Sequence, residues 1–263
     1  MAMWPEAGVR GTSSRQKLME TSRLAIVAAL EREVVPFVKR WHRRERVFEG
    51  RPFRFFEDGG WALVCGGIGA RAARRATEAI IHFYGPSCVA SVGFAGALDE
   101  GLRFRSVVVP RRIVDASDGS SFDTGRGADT LLSFSSVAGV AQKAKLHRAY
   151  GAQAIDMEAA AVACAARAHG LDFFAVKAIS DESDFELPPL GDAIDAEGRF
   201  FGGRFLASVA SKPWLWFRVF QLARHSACAA RSLSRWLEQY SRQVRGGEES
   251  ELERGLPGVP IEP

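Results

Sequence analysis

Long apolar runs are missing from this chain of 263 residues. No stretch reaches the roughly 18 apolar residues that a membrane-spanning helix needs, which excludes such a span. Cysteine is scarce as well. Cys65, Cys88, Cys164 and Cys228 form no Cys-x-x-Cys pair and have no histidine at metal-ligand spacing. Neither a disulfide framework nor a metal site is therefore expected, and buried free thiols in a reducing compartment are. An excess of one charge is also lacking: 35 Lys and Arg face 31 Asp and Glu, a net charge of +4. Spread over a chain of this length, that is weak grounds for a nucleic-acid partner. Residues 1–22 lack the apolar middle of a secretion signal and read as a flexible leader, so a cytoplasmic protein is expected. What is present is ordinary globular composition, with 47% hydrophobic and 25% charged residues. That excludes a disordered or fibrous chain and leaves length for one large core.

Apolar runs and helical spacing alternate along the middle of the chain. Arg23–Leu30 is continuously apolar after its arginine, as in a strand buried on both faces. Phe53–Phe56 and Trp61–Cys65 read as strands joined at Asp58-Gly59-Gly60. Gly66-Gly67-Ile68-Gly69 then leads into a helix with Ala72, Ala76, Ile80 and Phe83 on one side. Cys88–Val92 and Ser106–Val109 are further strands, residues 115–129 a polar loop, and Leu131–Val137 a strand before a helix over 138–150. An alanine-rich helix opens at Asp156-Met157-Glu158, buried through Met157, Ala160, Ala161, Cys164 and Ala168 and stopped by Gly170. Phe173–Ile179 is a last strand, ending at Ser180-Asp181. The alternation predicts an α/β fold: a mixed, largely parallel central sheet flanked by helices over residues 23–210. Ligands of such sheets collect beyond the carboxyl ends of the strands.

Three acids fall at those ends: Glu33, Glu158 and Asp181. Each has a plain structural reading, as a helix-end charge or a cap. Together they supply the parts for cleaving a glycosidic bond: a carboxylate to activate water, an acid for the leaving group, and a carboxylate to grip sugar hydroxyls. Negative charge also stabilises an oxocarbenium-like transition state. No Gly-x-Ser-x-Gly elbow is present, so an acyl-enzyme route is not expected. The Gly66–Gly69 turn matches neither the Walker loop nor the dinucleotide fingerprint. It reads either as a tight strand-to-helix turn or as an anion cradle.

Five segments in order carry a resemblance: Ala28–Val34, Gly66–Gly69, Val92–Leu98, Ile155–Ala159 and Lys177–Asp181. Over residues 23–185 the chain resembles the purine nucleoside phosphorylase and nucleosidase superfamily, particularly the methylthioadenosine/S-adenosylhomocysteine nucleosidase branch. The resemblance implies that Asp181 protonates the purine N7 with help from Ser180. It further implies that Glu158 binds the ribose hydroxyls, that Met157 packs beneath the sugar, and that Glu33 activates water. Gly67 and Phe94 are carried over as substrate-binding positions. Asp181 is then expected to be buried and to hold its proton near neutrality. Ser91 and Phe94 stand where hexameric phosphorylase relatives place an arginine and a serine, and Glu33 would repel phosphate. Hydrolysis is expected over phosphorolysis. Leu131–Ala152 is similar to the hopanoid-associated phosphorylase group, which implies an adenosylhopane-like, lipid-linked nucleoside. Methylthioadenosine, S-adenosylhomocysteine and futalosine are the alternative substrates. The resemblance implies no cofactor and a homo-oligomer; a silent nucleoside-binding adaptor is the rival of a different class.

The small net charge is unevenly placed. Residues 212–245 hold Lys212 and six arginines against Glu238 alone, more than the surplus of the whole chain, so the remainder is slightly acidic. At about 100° per residue, Arg224, Arg231, Arg235 and Arg242 fall within roughly a 40° sector of one helix. Residues 211–245 are read as a basic amphipathic extension, docked on the domain or another subunit, or lying on an anionic membrane surface. Nucleic acid is not expected there, since no binding motif accompanies the stripe. Residues 246–263 read as a disordered tail.

Overall fold

The computed structural model describes residues 24–187, 195, 198, 201, 203 and 212–245. The leader and tail expected over 1–22 and 246–263 lie outside the described residues. The fold is α/β, with a mixed sheet flanked by helices. At its centre are four parallel strands with a common carboxyl rim. β1 (Leu24–Ala28) lies between β4 (Trp61–Cys65) and β5 (Cys88–Ala97), and β11 (Asp172–Asp181) pairs on the far side of β5. The register brings Ala28, Cys65, Val92 and Val176 level. Every one of these strands is predominantly apolar, because helices cover both faces. α1 (Glu31–Val38) follows β1, α2 (Ala70–Tyr84) follows β4, and α4 (Ala159–Ala168) precedes β11.

Beyond Val92, β5 runs on past the rim. There its far end pairs with β10 (Ala154–Asp156), antiparallel, and β10 pairs with β9 (Thr130–Ser133). A second group of strands follows, with β7 (Arg112–Asp115) beside β9 and β8 (Ser121–Asp123) at the edge. β6 (Val107–Val108) adds to β11. On the opposite margin, β2 (His42–Phe48) and β3 (Arg51–Asp58) form a hairpin against β4. β2 has no apolar alternation and was not expected as a strand. Its exposed charges suit an edge that must not pair with other chains. β8 lies in the segment expected to be all loop, a short strand held by its neighbour β7.

Two expectations about burial need correction. The face that α4 buries is Ala159, Ala160, Val162, Ala163, Ala165 and Ala166; Cys164 and Ala168 point outward. With alanine nearly all around, periodicity had no contrast from which to choose the face. The Cys164 thiol is accordingly exposed, not buried, and the other three are half-buried and free.

The basic C-terminal segment is a single helix, α5 (Pro213–Arg245), of 33 residues, about 50 Å long at 1.5 Å per residue. Its second half is built into the domain. Ala229, Leu233, Leu237 and Tyr240 are buried in the same core as β1 and β11. The Tyr240 ring lies 5.8 Å from Trp61 and 5.7 Å from Phe174, and its hydroxyl accepts a bond from Arg126 at 3.0 Å. Arg224, Arg231, Arg235 and Arg242 all face solvent. Among the described residues no helix is long and apolar enough to cross a membrane.

Candidate active site

The carboxyl rim opens into a cavity of about 490 Å³. Its polar residues are Arg32, Glu33, Ser136, Lys143, Asp156, Glu158, Ser180, Asp181 and Ser226. Six of the seven positions expected from the sequence line it: Glu33, Phe94, Met157, Glu158, Ser180 and Asp181. Gly67 does not. It is pressed against the Gly198 carbonyl, where a β-carbon would meet the oxygen at 2.9 Å, and its φ of +106° suits glycine. Ile68 takes the lining position instead.

Each acid is held by backbone that the sequence shapes for it. Glu33 sits in the first turn of α1, buried, with Oε2 accepting from the Leu30 N–H at 3.5 Å. It lies over Gly93, whose absent β-carbon would come within 2.7 Å of that oxygen. Gly96 does the same for Asp181, at 2.8 Å from Oδ2. The two glycines of Gly93-Phe94-Ala95-Gly96 are therefore spaces for two carboxyl groups. Asp181 follows a bulge in β11, where the register shifts between Ile179 and Asp181. Neighbours on a regular strand face opposite ways, and the bulge lets Ser180 and Asp181 work side by side. The Ser180 hydroxyl donates to Asp181 Oδ1 at 2.6 Å.

Glu158 Oε1 accepts from the Gly69 N–H at 2.7 Å, and Oε2 from the Met157 N–H at 3.2 Å. The other N–H groups of the glycine turn bond backbone carbonyls, Gly66 to Ala28, Gly67 to Ala29 and Ile68 to Gly198, so the segment is a tight strand-to-helix turn with one N–H left for the Glu158 side chain. Burial, and then the nearby Glu158, push the Glu33 carboxyl up to about 8. Glu158 is pushed to about 7, by burial first and Asp156 next.

Sequence reasoning missed three groups. Asp156 is fully bonded: Ser133 donates at 2.6 Å, Ala159 N–H at 2.9 Å, and Lys177 at 2.9 Å. Lys177 also donates to Ser91 at 3.0 Å, so Ser91 supports the floor from beneath. A single lysine inside the apolar run Phe173–Ile179 was the signal for it. Lys143, on α3 (Val140–Tyr150), reaches Asp181 at 2.5 Å. It sits in a polar-looking stretch and gave no signal. Asp181 is buried as expected, and the Lys143 ammonium stands directly against it. Among the described residues, no group of three or more His, Cys, Asp or Glu side chains is placed to hold a metal ion.

The open end of the cavity is apolar. The first half of α5 contributes Val219, Leu222, Ala223 and Ala227, facing Leu30, Ile68, Phe94 and Val137. Trp216, Phe217 and Phe220 of the same half-helix are 59%, 74% and 68% exposed.

In comparison with known families, residues 22–135 and 131–195 match the phosphorylase superfamily. The chain belongs to that superfamily. No curated protein matches this superfamily member in direct sequence comparison. Its fold is similar to that of Helicobacter pylori 5′-methylthioadenosine/S-adenosylhomocysteine nucleosidase, with a TM-score of 0.63 and 16% identity over 84% of this chain and 97% of that one. Futalosine hydrolase of Helicobacter pylori gives the same values. Arabidopsis thaliana 5′-methylthioadenosine nucleosidase gives a TM-score of 0.66 and 16% identity over 87% of this chain and 98% of that one.

Proposed function

We propose that this superfamily member is a nucleosidase that hydrolyses the N-glycosidic bond of a 5′-substituted adenosine and releases adenine. The observation that carries the reading is the placement of Glu33 and Asp181 over Gly93 and Gly96 of one strand. Three residues of strand span about 10 Å. The two carboxyl groups thus line one cavity from separate points along the strand, as a base for water and an acid for the leaving group require. Glu33 takes a proton from water, Glu158 holds the ribose hydroxyls with Met157 beneath the ring, and Asp181 with Ser180 serves the leaving purine. The site favours water over phosphate. Lys143 and Lys177 are already ion-paired with Asp181 and Asp156, and a dianion would meet Glu33 and Glu158 in a poorly solvated floor.

The apolar mouth favours a large apolar 5′ substituent, of the adenosylhopane-like, lipid-linked kind belonging to hopanoid synthesis. The exposed aromatics of α5 beside that mouth, with Arg218 and Arg224 close by in sequence, suit an anionic membrane face on its cytoplasmic side.

The test is a panel of 5′-substituted adenosines, from methylthioadenosine and S-adenosylhomocysteine to adenosylhopane, assayed with and without phosphate. Adenine and the 5-substituted ribose should appear without phosphate, with kcat/KM rising with apolar bulk. Strict phosphate dependence with ribose 1-phosphate as product, or no adenine from any member, overturns the reading. Flotation with anionic vesicles tests the membrane contact. Replacing Trp216, Phe217 and Phe220 by serine should abolish it. Unchanged flotation, or an effect only on self-association, removes it.

A further inference from the structure

Lys143 is 1% exposed, and its ammonium makes two short bonds, to Asp181 Oδ2 at 2.5 Å and to the Glu182 carbonyl at 2.7 Å. The other Asp181 oxygen accepts the Ser180 hydroxyl at 2.6 Å. Ser180 reaches the Ala95 carbonyl as well, at 3.3 Å. Both carboxylate oxygens therefore already receive donors from the protein. A carboxylate in an ion pair accepts hydrogen bonds and has no proton of its own to give. Departing adenine, however, needs one, because the electron pair of the broken bond otherwise leaves an anionic base in a floor crowded with acids.

The second buried lysine shows that Lys143 is not a generic counter-charge. Lys177 is held by Asp156 and Ser91, and it stands on the Glu33 and Glu158 side of the floor, near Gly93. Lys143 comes from a different helix, lines the cavity itself, and bonds the one acid placed for the leaving group. Its second anchor, the Glu182 carbonyl, fixes the ammonium even when Asp181 changes partners.

We propose, on the nucleosidase reading above, that Lys143 is a positioning residue and the proton reservoir for the leaving base, acting through Asp181. As the C–N bond breaks, its electron pair moves onto the purine. The Lys143 ammonium gives a proton to Asp181, which relays it to N7, so the pair ends as amine and carboxylate. Water adds to the sugar and gives its proton to Glu33. Exchange through cavity water returns a proton to Lys143 and frees Glu33, so no other reactant is required.

The experiment compares two leaving groups in wild type, Lys143→Met and Lys143→Arg. One substrate is a 5′-substituted adenosine that the wild type cleaves. The other is 4-nitrophenyl β-D-riboside, whose phenolate departs without protonation. Arginine keeps the cation but does not release its proton. Both variants should lose about 10²–10³-fold in kcat on adenine release, the scale of general acid catalysis. On the nitrophenyl riboside they should change several-fold at most, which also reports that they are folded. Equal losses on both substrates overturn the proposal, since a purely structural lysine affects both alike. Full recovery of adenine release in Lys143→Arg overturns it too, because charge alone then suffices. A wild type that releases no adenine from any nucleoside instead sinks the nucleosidase reading itself.

Discussion

The floor and the wall of the cavity are made by different means. The floor is strand ends: Glu33, Glu158, Asp156 and Asp181, each pinned by backbone N–H groups, hydroxyls or lysines. The wall is one half of α5, whose contribution is apolar surface with a single hydroxyl, that of Ser226. On the proposed function, the preorganised polar floor acts on bond breaking, which every substrate shares. The apolar wall would act on whatever the sugar carries at 5′, and so distinguish substrates. Changes in the floor should therefore appear in kcat for all substrates, and changes in the wall in kcat/KM for some.

The largest effects belong to the acids. Asp181→Asn and Glu33→Gln should each lower kcat for adenine release by about 10²–10⁴-fold. Only Glu33→Gln should impair the nitrophenyl riboside as severely, since water attacks in both reactions. Glu33 must be ionised to take a proton, and burial raises its pKa to about 8. The wild-type rate should therefore climb about tenfold per pH unit and level near pH 8, and Glu33→Gln should lack that rise. A flat profile from pH 6 to 9 would separate Glu33 from the rate.

Next in size is Gly96→Ala. The new methyl would stand 2.8 Å from Asp181 Oδ2, and displacement of an acid by under an ångström costs on the order of 10²-fold. Leu222→Ala should do less, about tenfold in kcat/KM for a long apolar 5′ group, the scale of a few methylenes in a pocket. It should leave unsubstituted adenosine nearly unaffected. A uniform loss across the panel would show that α5 shapes the floor and would erase the contrast between the two regions.

The two regions also differ in how legible they were. The floor was read from short motifs, because Glu33, Glu158 and Asp181 follow strands whose apolar runs are plain, and a resemblance ties them together. The glycines of Val92–Leu98 were visible, but their purpose was not. That needed the packing of α1 and β11 across β5. Lys143 was invisible since its partner is 38 residues away and its helix α3 shows little amphipathic contrast. In α5 the charged stripe was legible and its solvent exposure followed. The apolar residues beside it divide into a half that enters the core and a half that lines the cavity. Helical spacing is identical in both halves, so only the tertiary fold separates them.

The smallest predicted effect sets stability against activity in the floor. Glu33 binds its proton more tightly folded than unfolded, with a pKa of about 8 against 4.5, chiefly because burial disfavours its charge. Such a group adds stability that is fully present below the unfolded value and is lost as pH rises through the folded value. Between those limits the wild type should lose stability with each pH unit, while Glu33→Gln, with nothing to ionise there, should not. The variant should thus melt close to wild type near pH 4.5 and above it by about 5 °C at pH 8.5, a gain on the order of 2 kcal/mol for a domain of this size. Thermal unfolding across that range checks it. Parallel melting curves at every pH would mean that Glu33 is ionised in the folded protein throughout, and that its charge is compensated by Lys177 rather than held in check by burial. A Leu222→Ala control should show no such divergence, because nothing on the wall titrates.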